Sequence, residues 1–238
     1  MKSFRHAILL TALALIATPC LVAAEEHDAI KPVPRQGGWM TRHQSFNKRV
    51  AKGNVDLVFI GDSITQGWEG RGKGVWEKFY GKRNAVNLGI GGDRTQHVIW
   101  RLDNDNVKNI SPKAAVIMIG TNNSGSNTPE QIAEGVAAIV KQLRTKLPKT
   151  QVLLLAVFPR GPDKNDKRRQ VNEKTNDIFK KLADDKGVYY LDIGPQFLQE
   201  DGTLTREIMP DLLHLSEQGY TIWAESIEPT LKTLMGEK

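Results

Sequence analysis

Residues 55–67 read Val-Asp-Leu-Val-Phe-Ile-Gly-Asp-Ser-Ile-Thr-Gln-Gly, and this stretch decides the fold. Val55 to Ile60 is short, apolar and β-branched, the composition of a strand buried on both faces in a parallel sheet. The run stops at Gly61-Asp62-Ser63, and the residues that follow can start a helix. A strand ending this way leaves a hydroxyl at the carboxyl edge of a sheet, where open α/β sheets place their ligands. Ser63 is therefore the candidate nucleophile. The rest of the chain must supply a base, a carboxylate to orient it and donors for an oxyanion.

Working outward, Glu25 to Gly38 is polar, carries Pro32 and Pro34, and reads as an irregular lead-in. A helix is expected from Gly38 to Lys52. Behind Gly67, the glycines at 70, 72 and 74 mark a loop. A short helix over Val75 to Tyr80 leads to a second strand, Ala85 to Leu88, which ends in Gly89-Ile90-Gly91-Gly92-Asp93. Thr95 to Leu102 reads as a helix. Ala114 to Ile119 is a third strand, ending in Gly120-Thr121-Asn122-Asn123. Thr128, Pro129 and Gln131 form a helix-start signature for a helix to about Lys146. Further strands are expected at Val152 to Phe158 and Val188 to Leu191, and further helices at Asp163 to Asp185 and Ser216 to Leu234. Repeated βα alternation implies a parallel sheet covered by helices on both faces. The expected architecture is a flavodoxin-like three-layer α/β/α sandwich of about five strands.

The first 24 of 238 residues read as a signal peptide. Lys2 and Arg5 precede an apolar stretch, Ala7 to Val22, and Ala23-Ala24 suits a cleavage site. The expected divisions are residues 1–24 as signal, 25–54 as lead-in and 55–238 as one α/β domain, with a secreted or periplasmic location. No stable membrane insertion is expected after cleavage. The only cysteine, Cys20, leaves with the signal, so disulfide and thiolate chemistry are both excluded from the mature chain. Cleavage lowers Lys+Arg from 33 to 31 against 27 acidic residues, so the net charge falls from +6 to +4. The bases are scattered and show no aromatic-plus-basic pattern, which argues against nucleic acid.

Three of the expected strands end in small polar segments, and right-handed crossovers bring those ends to one edge. Asp211-Leu212-Leu213-His214 arrives just before the last helix and can reach the same edge. Serine is a poor nucleophile without an adjacent base, and imidazole suits that role at neutral pH. The imidazole in turn needs a carboxylate on its other nitrogen, and Asp211 sits three residues away. The Ser63 N–H, the Gly92 N–H and the Asn122 side-chain amide are the candidate oxyanion donors. A dinucleotide fingerprint fails because Arg94 takes the third glycine position. No phosphate loop is present, and Thr65 breaks the Gly-x-Ser-x-Gly elbow. His27, His43 and His97 have no metal-type spacing and read as surface or supporting residues.

Taken in order, these four blocks resemble the SGNH (GDSL) hydrolases. Asn87 to Leu102 and Phe158-Pro159-Arg160-Gly161 are similar to the catalytic subunits of type Ib platelet-activating factor acetylhydrolases within that family. The resemblance implies Ser63 as nucleophile, Asp211 and His214 as its partners, and Ser63, Gly92 and Asn122 as the oxyanion hole. It implies a carboxylic ester hydrolase with no metal and no cofactor, and nothing in it opposes a homodimer. Ile64, Thr121 and Leu213, next to those residues, are expected to wall a small acyl pocket for acetyl groups. The expected substrate is a small-molecule or carbohydrate ester, with O-acetylated carbohydrate favoured; the alternatives are a lipid esterase and a non-catalytic binding protein. Trp68, Trp76 and Trp100 are read as mainly structural, with sugar stacking as their other use.

Overall fold

The computed structural model describes residues 27–237. The expected signal peptide lies outside the described residues. The elements run α1 (Gly38–Val50), β1 (Leu57–Gly61), α2 (Ser63–Gln66), α3 (Lys73–Tyr80), β2 (Ala85–Gly89), α4 (Thr95–Asp103) and β3 (Ala114–Met118). They continue with α5 (Pro129–Lys146), β4 (Gln151–Leu155), α6 (Lys167–Phe179), β5 (Val188–Leu191) and α7 (Glu217–Met235). All strand pairs are parallel, in the order β2-β1-β3-β4-β5. This is the flavodoxin-like arrangement expected from the alternation, and its strand order reverses beside β1.

Period-two alternation sorts the strand side chains into two cores. Val58 and Ile60 face α1, α4 and α5, with Trp39, Phe46, Val98 and Val136 among their neighbours. Leu57 and Phe59 face α3 and α7, against Trp68, Tyr80, Trp223 and Ile227. From Gly38 onward the expected lead-in is thus part of the same packing as β1, through Trp39, Phe46 and Val50. Among the described residues no helix is long and apolar enough to cross a membrane.

The helix caps explain the boundaries. Thr128 and Gln131 form the expected capping box at the start of α5, with Pro129 at its first position. Ser216 caps α7 by accepting from the Gly219 N–H. The helix expected over Asp163 to Asp185 is shorter. Asp166 is its cap, accepting from the Arg169 N–H at 2.9 Å, and the α-helix ends at Phe179 in a 3₁₀ turn.

Register carries the fold to the site. Gly61 pairs with Gly89 on one side and with Met118 on the other. The carboxyl ends of β1, β2 and β3 are therefore level, and each is followed by one of the polar segments. Gly61 is required there: a Cβ would overlap Thr65 Oγ1 and the Met118 carbonyl.

Candidate active site

Ser63 opens α2, and Asp62 caps that helix by accepting the Ile64 N–H at 2.9 Å. The cap fixes the turn that brings the Ser63 hydroxyl out of the sheet. Its Oγ lies 2.9 Å from His214 Nε2. His214 Nδ1 lies 2.6 Å from Asp211 Oδ2. Asp211 Oδ1 also accepts the backbone N–H groups of His214 (2.7 Å) and Leu213 (3.1 Å). Leu212 adopts φ +59°, a left-handed conformation that curls the four residues so that both side chains meet. Burial raises the Asp211 carboxyl. The hydrogen bonds from the His214 ring and backbone, the His214 charge and the Leu213 N–H outweigh it and hold the group at about 2. Ser63 is half-buried, and the side chains of His214 and Asp211 are 35% and 55% exposed. The series therefore lies at an open surface.

Hydrogen bonds tie together the segments that carry the three expected oxyanion donors. The Asn122 Nδ2 donates to the Asp93 carbonyl at 2.9 Å and lies 3.4 Å from Asp62 Oδ2. It thus joins the segment after Gly92 to the residue before Ser63. Among the described residues, neither the Ser63 N–H nor the Gly92 N–H donates to a protein acceptor. Gly92 has φ +76°, which favours glycine. Gln66, at the end of α2, accepts the Gly91 N–H at 2.7 Å and fixes the loop from the Ser63 side.

Beneath the loop lies a buried ion pair that sequence reasoning missed. Arg101 Nε donates to Asp93 Oδ2 at 2.9 Å, and Trp39 Nε1 donates to Asp93 Oδ1 at 2.6 Å. Burial raises the Asp93 carboxyl, against the opposing charge of Arg101. His97 accepts the Arg94 N–H at 3.0 Å; burial, then the charges of Arg35, Arg94 and Arg101, push it down to about 4, which leaves the ring neutral and able to accept. His43 is a buried residue rather than a surface one, stacked on Trp39 and bonded to Asn106 and Asn47. Burial and the Arg101 charge lower its pKa.

The expected acyl-pocket residues lie elsewhere. Ile64 is 1% exposed and packs in the core against α7. Thr121 is 2% exposed, and its hydroxyl accepts from Arg160 Nη1 (3.1 Å) and Asn172 Nδ2 (3.3 Å). Both side chains are turned inward because strand ends and first helical turns must bury one face. Leu213 alone of the three is partly exposed. Trp68 is buried against Tyr220 and Trp223, which leaves its ring no face for a sugar, while Trp100 is partly buried and packs on Trp39 and His43.

The GDSL-like Lipase/Acylhydrolase family model matches residues 59–222, which include Ser63, Gly92, Asn122, Asp211 and His214. The chain belongs to that family. The human platelet-activating factor acetylhydrolase IB subunit alpha1 is 38% identical over 224 residues, covering 91% of this chain and 94% of the human one. The rat subunit alpha2 is 36% identical over 203 residues, covering 84% of this chain and 86% of its own. A GDSL-like lipase from Bacteroides thetaiotaomicron superposes with a TM-score of 0.64 at 20% identity, over 81% of this chain and 97% of that one; this likeness is one of fold. As a GDSL acylhydrolase, the protein is an ester hydrolase.

Proposed function

We propose that this GDSL acylhydrolase is a serine acetylesterase working through an acyl-enzyme on Ser63. The observation that carries the reading is the hydrogen-bonded series Ser63 Oγ–His214 Nε2–His214 Nδ1–Asp211 Oδ2, at 2.9 and 2.6 Å. Ser63 Oγ attacks the ester carbonyl as His214 Nε2 takes its proton. The carbonyl oxygen becomes an oxyanion among the Ser63 N–H, the Gly92 N–H and the Asn122 amide. His214 returns the proton to the departing alkoxide. It then deprotonates a water that attacks the acyl-enzyme, and Ser63 is released as the acid leaves. Asp211 holds the Nδ1–H tautomer and balances the imidazolium.

The acyl group is acetyl in this reading. Ile64 and Thr121 are both buried, so neither side chain lines an open channel for a long acyl chain. The name of the 38% identical human relative, an acetylhydrolase, supports it too. For the alcohol, the leader-like N-terminus favours O-acetylated carbohydrate outside the cytoplasm. An acetylated phospholipid is the second reading, favoured by the same relative's name. A series of 4-nitrophenyl esters from acetyl to dodecanoyl, with Ser63→Ala as control, tests the acyl side. The expected maximum is at acetyl or propionyl, and Ser63→Ala loses at least about 10³-fold in kcat. A maximum at octanoyl or longer refutes the acetyl reading. Acetylated xylan, acetylated monosaccharides and an acetylated phospholipid then separate the alcohols.

A further inference from the structure

The segment ahead of α1 is bound to the same loops that carry the oxyanion donors. Ala29 is fully buried, and its carbonyl accepts from Thr95 Oγ1 at 2.7 Å, at the start of α4. Asp28 Oδ1 accepts from Asn127 Nδ2 at 2.5 Å, in the loop that follows Asn122. This anchoring delivers Arg35 to the Gly91-Gly92 turn. Arg35 Nη1 donates to the Gly91 carbonyl at 2.8 Å and lies 3.7 Å from Asp93 Oδ1. The guanidinium is stacked against Gly92: a Cβ there would stand 3.1 Å from Nη1 and 3.4 Å from Nη2.

The Gly91 carbonyl and the Gly92 N–H are the two ends of one peptide plane, and that peptide is trans. Fixing the carbonyl therefore fixes the direction of the N–H. The plane lies between two glycines, so little steric resistance opposes its rotation. With Gly92 read as an oxyanion donor, a half-turn would replace its N–H with the Gly91 carbonyl oxygen on the side facing the oxyanion. A cationic donor on the carbonyl opposes that rotation. It also polarises the amide, which strengthens the N–H as a donor.

We propose that Arg35 is a positioning residue for catalysis: it locks and polarises the Gly91–Gly92 peptide so that the Gly92 N–H faces the oxyanion. The proposal rests on the reading of Gly92 as an oxyanion donor to an intermediate on Ser63. It gives a catalytic use to a segment whose sequence reads only as an irregular lead-in.

The test uses the full chain, with kcat and KM on 4-nitrophenyl acetate and the rate of Ser63 labelling by a fluorophosphonate. Losing one oxyanion donor outright costs about 10²–10³ in rate, so a misaimed one in Arg35→Ala should cost about 10–100-fold in kcat. KM should stay within about twofold, since only the transition state uses the donor. Labelling should slow in parallel. Arg35→Lys should recover part of the loss, and millimolar guanidinium ion should recover part of it in Arg35→Ala. The Arg35 side chain is 40% exposed, so thermal unfolding midpoints of the variants should match the parent. A kcat in Arg35→Ala within twofold of the parent overturns the proposal. So does a loss that neither lysine nor guanidinium ion relieves, because that is the signature of general destabilisation. Failure of the underlying reading looks different: the unaltered protein itself then shows no labelling of Ser63, whatever stands at position 35.

Discussion

Replacing Arg101 by Met tests the claim that a buried ion pair holds the oxyanion loops. Arg101 is 1% exposed and Asp93 is fully buried. The substitution keeps a stem of similar length and removes three donor contacts: to Asp93 Oδ2 at 2.9 Å, Asn106 Oδ1 at 2.7 Å and the Gly61 carbonyl at 3.4 Å. The Asp93 carboxylate would keep Trp39 as its hydrogen-bond donor, with Arg35 at 3.7 Å. Removing one partner of a buried pair leaves an uncompensated charge and costs about 3–5 kcal/mol. The loss should depend on pH with a definite sign. Burial already raises the Asp93 carboxyl above its unfolded value, and without Arg101 it rises further. Such a group binds its proton more tightly when folded, so its penalty is absent below the unfolded pKa and grows as pH rises toward the folded one. Urea unfolding followed by tryptophan fluorescence at pH 5 and pH 8 measures both terms. The difference between Arg101→Met and the parent should be larger at pH 8, and Asp93→Asn in the same chain should relieve part of it. A loss under about 1 kcal/mol at pH 8, or a larger loss at pH 5, refutes the reasoning.

Three further outcomes are expected. Burial, with the Asp93 charge, pushes the Asp62 carboxyl up to about 7 against the Ile64 N–H and the Arg160 charge. Its folded pKa thus exceeds its unfolded value, and stability present below pH 4 should fall as pH rises to about 7, by up to about 4 kcal/mol. Asp62→Asn should flatten that part of the urea-midpoint profile; an unchanged profile counts against it. Asp211→Asn should lower kcat by up to about 10⁴-fold through the wrong imidazole tautomer, with only a modest drop in the unfolding midpoint at neutral pH, since the group is half exposed and solvent screens its interactions. Since Asp211 is held at about 2, an activity loss between pH 5 and 7 that vanishes in Asp211→Asn would contradict its assigned role. Asn122→Ala should cost about 10²–10³ in kcat with little change in KM, and a pure KM effect would remove Asn122 from the oxyanion hole.

The sheet was readable because each strand is a short, largely apolar run, with glycine at the end of β1 and β2 and just beyond β3, and the local caps Thr128 and Ser216 announce α5 and α7. The α6 boundaries were not. Before it, two Asp residues, Asp163 and Asp166, offer competing caps, and after it Lys180-Lys181-Leu182-Ala183 keeps good helix propensity. That Ser63, His214 and Asp211 come together was legible from a strand ending in Gly61-Asp62-Ser63 and an Asp-x-x-His spacing just ahead of the last helix. Neighbours of the candidate site residues misled, since adjacency in sequence says nothing of direction: the Ile64 and Thr121 side chains point into the core. Gln66, Arg35 and Arg101 carry no local signal. Arg35 meets Gly91 across 56 positions, and Arg101 meets Gly61 across 40.

The central claim is that Ser63 is the nucleophile, activated by His214. Intact mass and peptide mapping after brief fluorophosphonate treatment test it most directly. One adduct per chain is expected, on the peptide carrying Ser63, absent in Ser63→Ala and strongly slowed in His214→Ala. An adduct on another residue, or labelling of Ser63 that is indifferent to His214, would contradict the account.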